Sequence, residues 1–190
     1  MSETGMIPDF DPHGLLLDGV YVCDEGVFKE KFVDAFPNSS QRRVLFDGFK
    51  KLRDEAEVVL SAATQWVDGS YVTDKADPDD VDVVTFVEID LLNALFIDQQ
   101  NVVRQLLHGR EDTKEKYGCH TFLVPCCDPS NRFFGVFERQ RLYWRKWFGS
   151  TRGTVAPNGT PGPGREKGFV SLVLGDASIA PSVSAKRTTP

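Results

Sequence analysis

Two short segments decide the fold of this chain: Trp66-Val67-Asp68-Gly69-Ser70 and, after a spacer of nine residues, Asp80-Val81-Asp82-Val83-Val84. In a strand, successive side chains point to opposite faces, so Asp80 and Asp82 project the same way. Two carboxylates on one face repel each other and lose solvation unless a cation lies between them. The spacing therefore predicts a site for a hard divalent ion, which prefers oxygen ligands.

The turn at Gly69-Ser70 fits the same chemistry. Glycine lets the backbone approach a phosphate closely, and the serine adds a hydroxyl donor beside the N–H groups of the turn. Magnesium commonly reaches a protein with phosphates attached. Turn and carboxylates together predict a site for a metal-chelated nucleoside triphosphate. The alternative is an ordinary β-turn and a Pro-Asp-Asp loop that leads into a strand.

These two segments resemble the signature of the polymerase-beta-like nucleotidyltransferase superfamily. That signature is an apolar residue, Gly, Gly or Ser, a spacer of about nine to thirteen residues, then Asp, an apolar residue, and Asp or Glu. The stretches Met6-Ile7-Pro8-Asp9-Phe10-Asp11 and Phe36-Pro37-Asn38-Ser39-Ser40 are similar to those of small, largely uncharacterised bacterial proteins with this core. The resemblance spans roughly residues 6 to 175, and only the Gly-Ser and Asp-x-Asp elements carry chemical specificity.

The resemblance implies an α/β (α+β) domain in which a small mixed β-sheet is packed by helices on one main side. It implies that Asp80 and Asp82 bind one or two Mg²⁺ or Mn²⁺ ions and that Gly69 and Ser70 hold the outer phosphates. An acceptor hydroxyl would attack the α-phosphate of a nucleoside triphosphate and release pyrophosphate. The implied activity is thus transfer of a nucleoside monophosphate to a hydroxyl group.

Members of this superfamily place a third carboxylate on a following strand, where it faces the first two. The segment His120-Thr121-Phe122-Leu123-Val124-Pro125 resembles that strand, with His120 in the position of the acid. A neutral imidazole can serve as a base or a ligand near neutral pH, but it supplies no negative charge and so favours manganese over magnesium. Asp128 is a poorer substitute because it follows the proline in a loop. The predicted catalytic residues are therefore Asp80, Asp82 and His120.

Phosphoryl transfer also needs positive charge besides the metal. Arg141 interrupts the apolar stripe of the last predicted helix, and Arg145 follows one turn later. We interpret both as phosphate ligands. For Arg141 the alternatives are an ion pair with a buried acid and a snorkelling side chain at the solvent edge. Arg42, Arg43 and Lys50 on the second helix could also approach a ligand, but a solvated charged face is expected there.

Several acceptors and two other function classes remain open. The acceptor could be a protein, an RNA or a small molecule. The second class is a degenerate module that binds nucleotide without turnover, and the third is an interaction protein without a ligand. Small bacterial relatives occur in toxin–antitoxin and phage-defence contexts, which is an analogy only. Tyr143, Trp144, Trp147 and Phe148 could stack bases, but their helical spacing favours core positions.

Composition limits these choices. A chain of 190 residues that is 41% hydrophobic can bury one core. Its net charge of −6 argues against broad adhesion to nucleic acid but does not exclude a local basic cleft. No apolar run approaches a membrane span and the start does not resemble a secretion signal, so we expect a cytoplasmic protein without membrane contact. The four cysteines lack zinc-site spacing and are expected as reduced thiols.

We expect an irregular N-terminal segment over residues 1–24, a single nucleotidyltransferase-like domain over 25–175 and a disordered tail over 176–190. Within the domain, Gly, Pro and Thr predict a flexible loop over residues 150–167. The β-branched run that follows Asp80 predicts a central strand covered on both faces, and the last strand is expected at a sheet edge. Apolar periodicity predicts helices over 25–35, 40–59, 91–106 and 131–148 and strands over 65–68, 81–87, 120–124 and 169–174.

Overall fold

A computed structural model describes residues 5–153 and 164–183 of the chain. Its centre is one mixed sheet of five strands in the order β1-β5-β2-β3-β4. Neighbouring strands β2 and β3 are antiparallel, β3 and β4 are parallel, and β5 is antiparallel to β2. The strands are β1 (Val20–Val22), β2 (Ala62–Asp68), β3 (Val81–Glu88), β4 (Cys119–Cys126) and β5 (Phe169–Gly175).

In the described part of the chain six α-helices pack around the sheet, which confirms the predicted α/β class. The parallel pairing of β3 and β4 requires a crossover, and three helices between the two strands provide it. The first helix continues into a π-helical segment over Glu30–Asp34. The helices are α1 (Glu25–Lys29), α2 (Ser40–Glu57), α3 (Ile89–Ala94), α4 (Ile97–Leu107), α5 (Glu111–Tyr117) and α6 (Phe134–Phe148).

Side-chain alternation along the strands divides the core into two layers. Val67 and Val83 belong to the larger layer, which also contains Phe28 of α1 and Phe49 of α2. Trp66, two residues before Asp68, belongs to the other layer, which α6 covers. Helices α1, α2, α4 and α5 contribute to the larger layer, which is the expected main side, and α6 covers the other face. The reason is that both faces of β2 and β3 are apolar, so each needs a partner.

Other predictions of local structure need correction. The predicted helix over 91–106 is two helices, which separate at Leu95 and Phe96. The last strand, β5, lies between β1 and β2 and is not at an edge, because β1 pairs with it in parallel. Strand β1 itself falls in the segment expected to be irregular. The short helix α5 was not predicted, although acids in its first turn, lysines in its last turn and Gly118 in the left-handed conformation are helix-boundary signals.

The chain after β5 is ordered as far as the structure describes it. The hydroxyl of Thr64 donates to the carbonyl of Pro181 at 2.7 Å, and Val183 packs against the core layer under α6. The prediction of a disordered tail from residue 176 is thus wrong through residue 183. Residues 184–190 and most of the loop predicted over 150–167 lie outside the described residues.

Two composition-based expectations can be compared with the structure. Cys23, Cys119, Cys126 and Cys127 are buried free thiols, as expected. Among the described residues, none of the helices has both the length and the apolar character required to cross a bilayer.

Candidate metal and nucleotide site

Strands β3 and β4 bring the three predicted catalytic side chains together. Asp82 lies beside His120 in the parallel register, and Asp80 precedes β3 on the same face. One ligand atom from each of Asp80, Asp82 and His120 lies within 4.8 Å of the others. All three side chains are partly exposed, at 19% for Asp80 and 27% for both Asp82 and His120. The cluster is therefore accessible from solvent.

The glycine turn adjoins this cluster. Gly69 follows β2, whose last residue, Asp68, lies opposite Asp82 in the antiparallel register. A Cβ atom built on Gly69 would lie 2.5 Å from Oδ2 of Asp82. The backbone of the turn thus approaches the carboxylate closely, and a side chain at position 69 would require Asp82 to move. Ser70 begins the following 3₁₀ turn and is partly exposed.

A buried arginine holds the loop that joins the turn to Asp80. The guanidinium of Arg42 makes five hydrogen bonds to backbone carbonyls, of which four are to carbonyls of Tyr71, Thr73 and Lys75 in this loop. Arg42 is fully buried, and its guanidinium lies 3.8 Å from the ring centroid of Phe36. The expectation of a solvated face is therefore wrong for Arg42. Arg42 lies on the apolar face of α2, but its acceptors in this loop are 29 to 33 positions away in the chain, so the sequence pattern did not predict them.

Helix α5 supplies two charged groups to the cluster. Lys114 Nζ lies 2.7 Å from Oδ2 of Asp80, and Oε1 of Glu111 lies 3.9 Å from Nε2 of His120. Side chains three residues apart share one face of a helix, so both reach the same edge of the sheet. Sequence reasoning missed both residues because it missed the helix. The Lys114 side chain is 41% exposed, so it can leave Asp80 when another cation binds there.

Without a bound cation, the surroundings of Asp82 destabilise the negative charge of its carboxylate. Burial raises its pKa above the ordinary value, and the neighbouring Asp80 charge raises it further. The positive charges of His120, Arg152 and Lys167 act in the opposite direction. A divalent ion would remove this cost, so the donor set of two carboxylates and one imidazole fits a metal ion.

A buried ion pair lies beside the cluster, on the neighbouring strand β2. Lys167, just before β5, forms an ion pair with Asp68, and both side chains are at most 7% exposed. Burial raises the pKa of the Asp68 carboxyl to about 7, while the ammonium of Lys167 and the N–H of Gly69 oppose that rise. Asp68 thereby joins the glycine turn to the start of β5. The sequence did not predict Lys167, which is 99 positions from Asp68.

The two arginines predicted as phosphate ligands have other partners. Arg141 is buried on α6 and pairs with Glu138, with Nε 2.7 Å from Oε2. Arg145 donates to Asp18 at 3.1 Å and lies over the ring of Phe169. Arg141 therefore forms an ion pair, but its partner lies on the same helix and is 30% exposed, so it is not the buried acid of that alternative. The cations whose charge acts on Asp82 are instead Lys167 and Arg152.

We expect Gly69→Ala to destabilise the fold by about 2 kcal/mol, because φ of +83° and ψ of −164° fall in a region that only glycine occupies without strain. The new methyl group would also displace Asp82. Urea denaturation measures the change in the free energy of unfolding. Gly135→Ala is the control, since a Cβ there meets no atom within 4 Å, and a gain of about 0.5 kcal/mol is expected. Equal free energies of unfolding for the two variants would contradict a backbone conformation at Gly69 that requires glycine.

We expect Asp82→Asn to be more stable than the wild type at neutral pH without metal. The folded-state pKa of Asp82 is raised, so the folded protein retains a proton that the unfolded chain releases above about pH 4. The wild type therefore loses stability as pH rises above about 4, whereas the variant, which has no carboxyl group at this position, does not. In urea denaturation with EDTA, the difference in the free energy of unfolding between the variant and the wild type should increase from about pH 4.5 to about pH 7.5. It should reach roughly 1 kcal/mol at most.

The control for this pH dependence is Asp79→Asn. The pKa of Asp79 is lowered by its hydrogen bond to Lys75, so the folded protein is stabilised above the unfolded pKa and loses that contribution as pH falls. Asp79→Asn should therefore give no stabilisation at neutral pH. A stability difference for Asp82→Asn that is constant with pH, or that shrinks as pH rises, would contradict a raised pKa.

Comparison with known proteins places the chain in a family without an assigned activity. Residues 8–173 match a family described as a family of unknown function (DUF6932). This chain belongs to that family. Searches of curated proteins and of solved structures find no match to it. The matched residues of this DUF6932 protein include the glycine turn, the cluster of Asp80, Asp82 and His120, and Lys167.

Proposed function

We propose that this protein is a metal-dependent nucleotidyltransferase that transfers a nucleoside monophosphate from a nucleoside triphosphate to a hydroxyl acceptor. The observation that carries the proposal is the convergence of Asp80, Asp82 and His120, with ligand atoms within 4.8 Å, beside a glycine turn whose backbone approaches Asp82 closely. The residues that resemble the polymerase-beta-like signature are the same ones that converge in space.

In this proposal Asp80 and Asp82 hold one or two Mg²⁺ or Mn²⁺ ions, with His120 as a further ligand or as the base. When bound, the metal would neutralise and orient the triphosphate. The backbone N–H groups at Gly69 and Ser70 would bind the outer phosphates. Lys114, which pairs with Asp80, and Arg152, whose charge acts on Asp82, are solvent-accessible cations that would offset the remaining phosphate charge.

The transfer step uses groups of this chain. The acceptor hydroxyl oxygen attacks the α-phosphorus, and the bond to the bridging oxygen breaks, so that pyrophosphate leaves with the electron pair. The hydroxyl proton passes to a ring nitrogen of His120. Nδ1 of this imidazole lies 3.6 Å from Oδ1 of Asp82, so the base stands beside the carboxylate pair. Most of the rate would come from positioning and charge neutralisation.

A nucleotide-binding module without turnover is the second candidate. Two observations favour it: a histidine occupies the position of the third acid, and Lys114 already neutralises Asp80. A site of this kind would bind a nucleotide through the turn and the remaining carboxylate. It would not release pyrophosphate.

One experiment separates these candidates. The protein is incubated with each of the four α-labelled nucleoside triphosphates and Mn²⁺ or Mg²⁺, with a cell extract as the source of acceptor, while pyrophosphate release and transferred label are measured. Release with label transfer supports the transferase, with Mn²⁺ expected to exceed Mg²⁺. Binding by calorimetry without release supports the module. No release and no binding with any nucleotide would reject both and favour an interaction protein.

A further inference from the structure

Helix α6 and the residues around it form a basic surface on an acidic protein. Between residues 131 and 153 the chain contains six arginines or lysines and one acid, Glu138, although its net charge is −6. Arg139, Lys146 and Arg152 are exposed. The remaining chain is therefore strongly acidic, and positive charge is concentrated on one side of the sheet. This is the local basic surface that the overall charge did not exclude.

A chain of aromatic rings connects this surface to the metal cluster. The ring of His120 lies 4.7 Å from that of Phe122, which lies 4.5 Å from Trp144. Trp144 lies 5.2 Å from Tyr143, and Tyr143 lies 6.1 Å from Trp147 with an interplanar angle of 17°. We refer to these five residues as the aromatic track. It begins at the predicted base and ends on the outer surface of α6.

The outer rings of the track are not part of the core. Tyr143 is 56% exposed and Trp147 is 55% exposed, whereas Phe148 on the same helix is 1% exposed. The expectation that these aromatics are core residues is correct for Phe148 and wrong for Tyr143 and Trp147. Two large rings stacked on each other in solvent do not stabilise the core, so a binding role is the simpler explanation.

We propose that the aromatic track and the exposed cations around it form a docking surface for single-stranded nucleic acid. The inference rests on the proposed function, because it names the acceptor class whose terminal hydroxyl would reach His120. Unpaired bases would stack on Tyr143 and Trp147, and their phosphates would meet Arg139, Lys146 and Arg152. Aromatic rings interleaved with cations are the arrangement that binds single strands, while a duplex keeps its base faces covered.

The test is binding of fluorescein-labelled single strands of about 12 nucleotides, measured by anisotropy without nucleotide or metal. Tyr143→Ala and Trp147→Ala should each raise Kd about tenfold. Trp147→Phe, which keeps a ring, should recover most of the affinity. Leu142→Ala is the matched control, since Leu142 is a 46% exposed apolar residue of the same helix and should leave Kd unchanged. RNA and DNA strands are compared, and a blunt duplex should bind more weakly than either.

The salt dependence of single-strand binding tests the role of the exposed cations around the aromatic track. The variant Arg139→Gln/Lys146→Gln should lower the slope of log Kd against log salt by about 1.4, the value for two lost phosphate contacts to a single strand. Arg43→Gln/Lys51→Gln, two exposed cations of α2, should not change it. Absence of binding at low salt, or binding that Tyr143→Ala and Trp147→Ala leave unchanged, would overturn the proposal.

The same measurements separate this inference from the proposed activity. Asp80→Asn/Asp82→Asn should bind single strands at least as well as the wild type, because the substitutions remove only negative charge beside the track. If track-dependent binding occurs but label is not transferred to any acceptor, the transfer function fails and the docking surface stands. If label appears only on a protein or a small molecule and single strands do not bind, the docking surface fails alone.

Discussion

Replacement of both carboxylates, in Asp80→Asn/Asp82→Asn, is expected to lower nucleotidyl transfer on the order of 1000-fold. Asparagine keeps the shape of each side chain but removes the negative charges that would hold the metal. The loss should appear in kcat with either Mn²⁺ or Mg²⁺, because the metal is needed in the transition state and not only for binding. Initial rates of pyrophosphate release measure it.

The control for this prediction is Asp77→Asn/Asp79→Asn. Both residues are exposed acids in the loop that leads to Asp80. This pair changes the net charge by the same amount without touching the cluster, so transfer should stay within about twofold of the wild type. Equal activity of the Asp80/Asp82 variant and the wild type would show that the chemistry lies elsewhere.

Arg42→Met is expected to destabilise the fold by about 4 kcal/mol, because it removes a buried cation that satisfies four backbone carbonyls. Those carbonyls would remain buried without a partner or would draw water into the core. The loop between Gly69 and Asp80 should loosen, so the transfer rate should fall as well. The midpoint of guanidinium chloride denaturation measures the stability change.

The adjacent residue provides the matched control. Arg43 is 59% exposed and lies 4.0 Å from Asp34 at its nearest. Arg43→Met should change the free energy of unfolding by less than about 0.5 kcal/mol, since an exposed ion pair of this kind contributes little. If the Arg42 and Arg43 variants unfold at the same denaturant concentration, the arginine does not hold the loop.

The central part of the fold followed from the sequence because its signals are local. A β-branched run predicts β3, and period-two alternation places Asp80 and Asp82 on one face without knowledge of the tertiary structure. The position of His120 followed from resemblance, and the register of β3 with β4 places it beside Asp82. Short-range patterns therefore predicted the two carboxylates, and the resemblance supplied the histidine.

The charges around the cluster did not follow from the sequence, because they depend on contacts between distant positions. Arg42 and Arg43 are neighbours in sequence with identical side chains, yet one is buried and the other is exposed. Helical spacing places Arg42 on the apolar face of α2, but a buried arginine needs acceptors, and most of these lie in a loop 29 to 33 positions away. Lys167 and Asp68 are likewise joined only when β5 enters the middle of the sheet.

The prediction that the aromatic residues of α6 are core residues was wrong in part, for a different reason. Tyr143 and Trp147 follow the helical spacing of core residues, but the stripe that faces the sheet is occupied by Phe137, Trp144 and Phe148. A helix rich in apolar residues has more of them than one face can bury. Composition alone therefore could not indicate which rings remain in solvent.

The most direct test of the account is Mn²⁺ binding followed by electron paramagnetic resonance. The wild type should bind Mn²⁺, and the spin-echo signal should contain coupling to an imidazole nitrogen that disappears in His120→Ala. Asp82→Asn should bind Mn²⁺ more weakly than the wild type by a factor of more than about ten. The control is Asp128→Asn, which removes an exposed acid from the loop after β4 and should bind Mn²⁺ as the wild type does. Equal Mn²⁺ affinity in Asp82→Asn and the wild type would contradict a metal site at Asp80, Asp82 and His120.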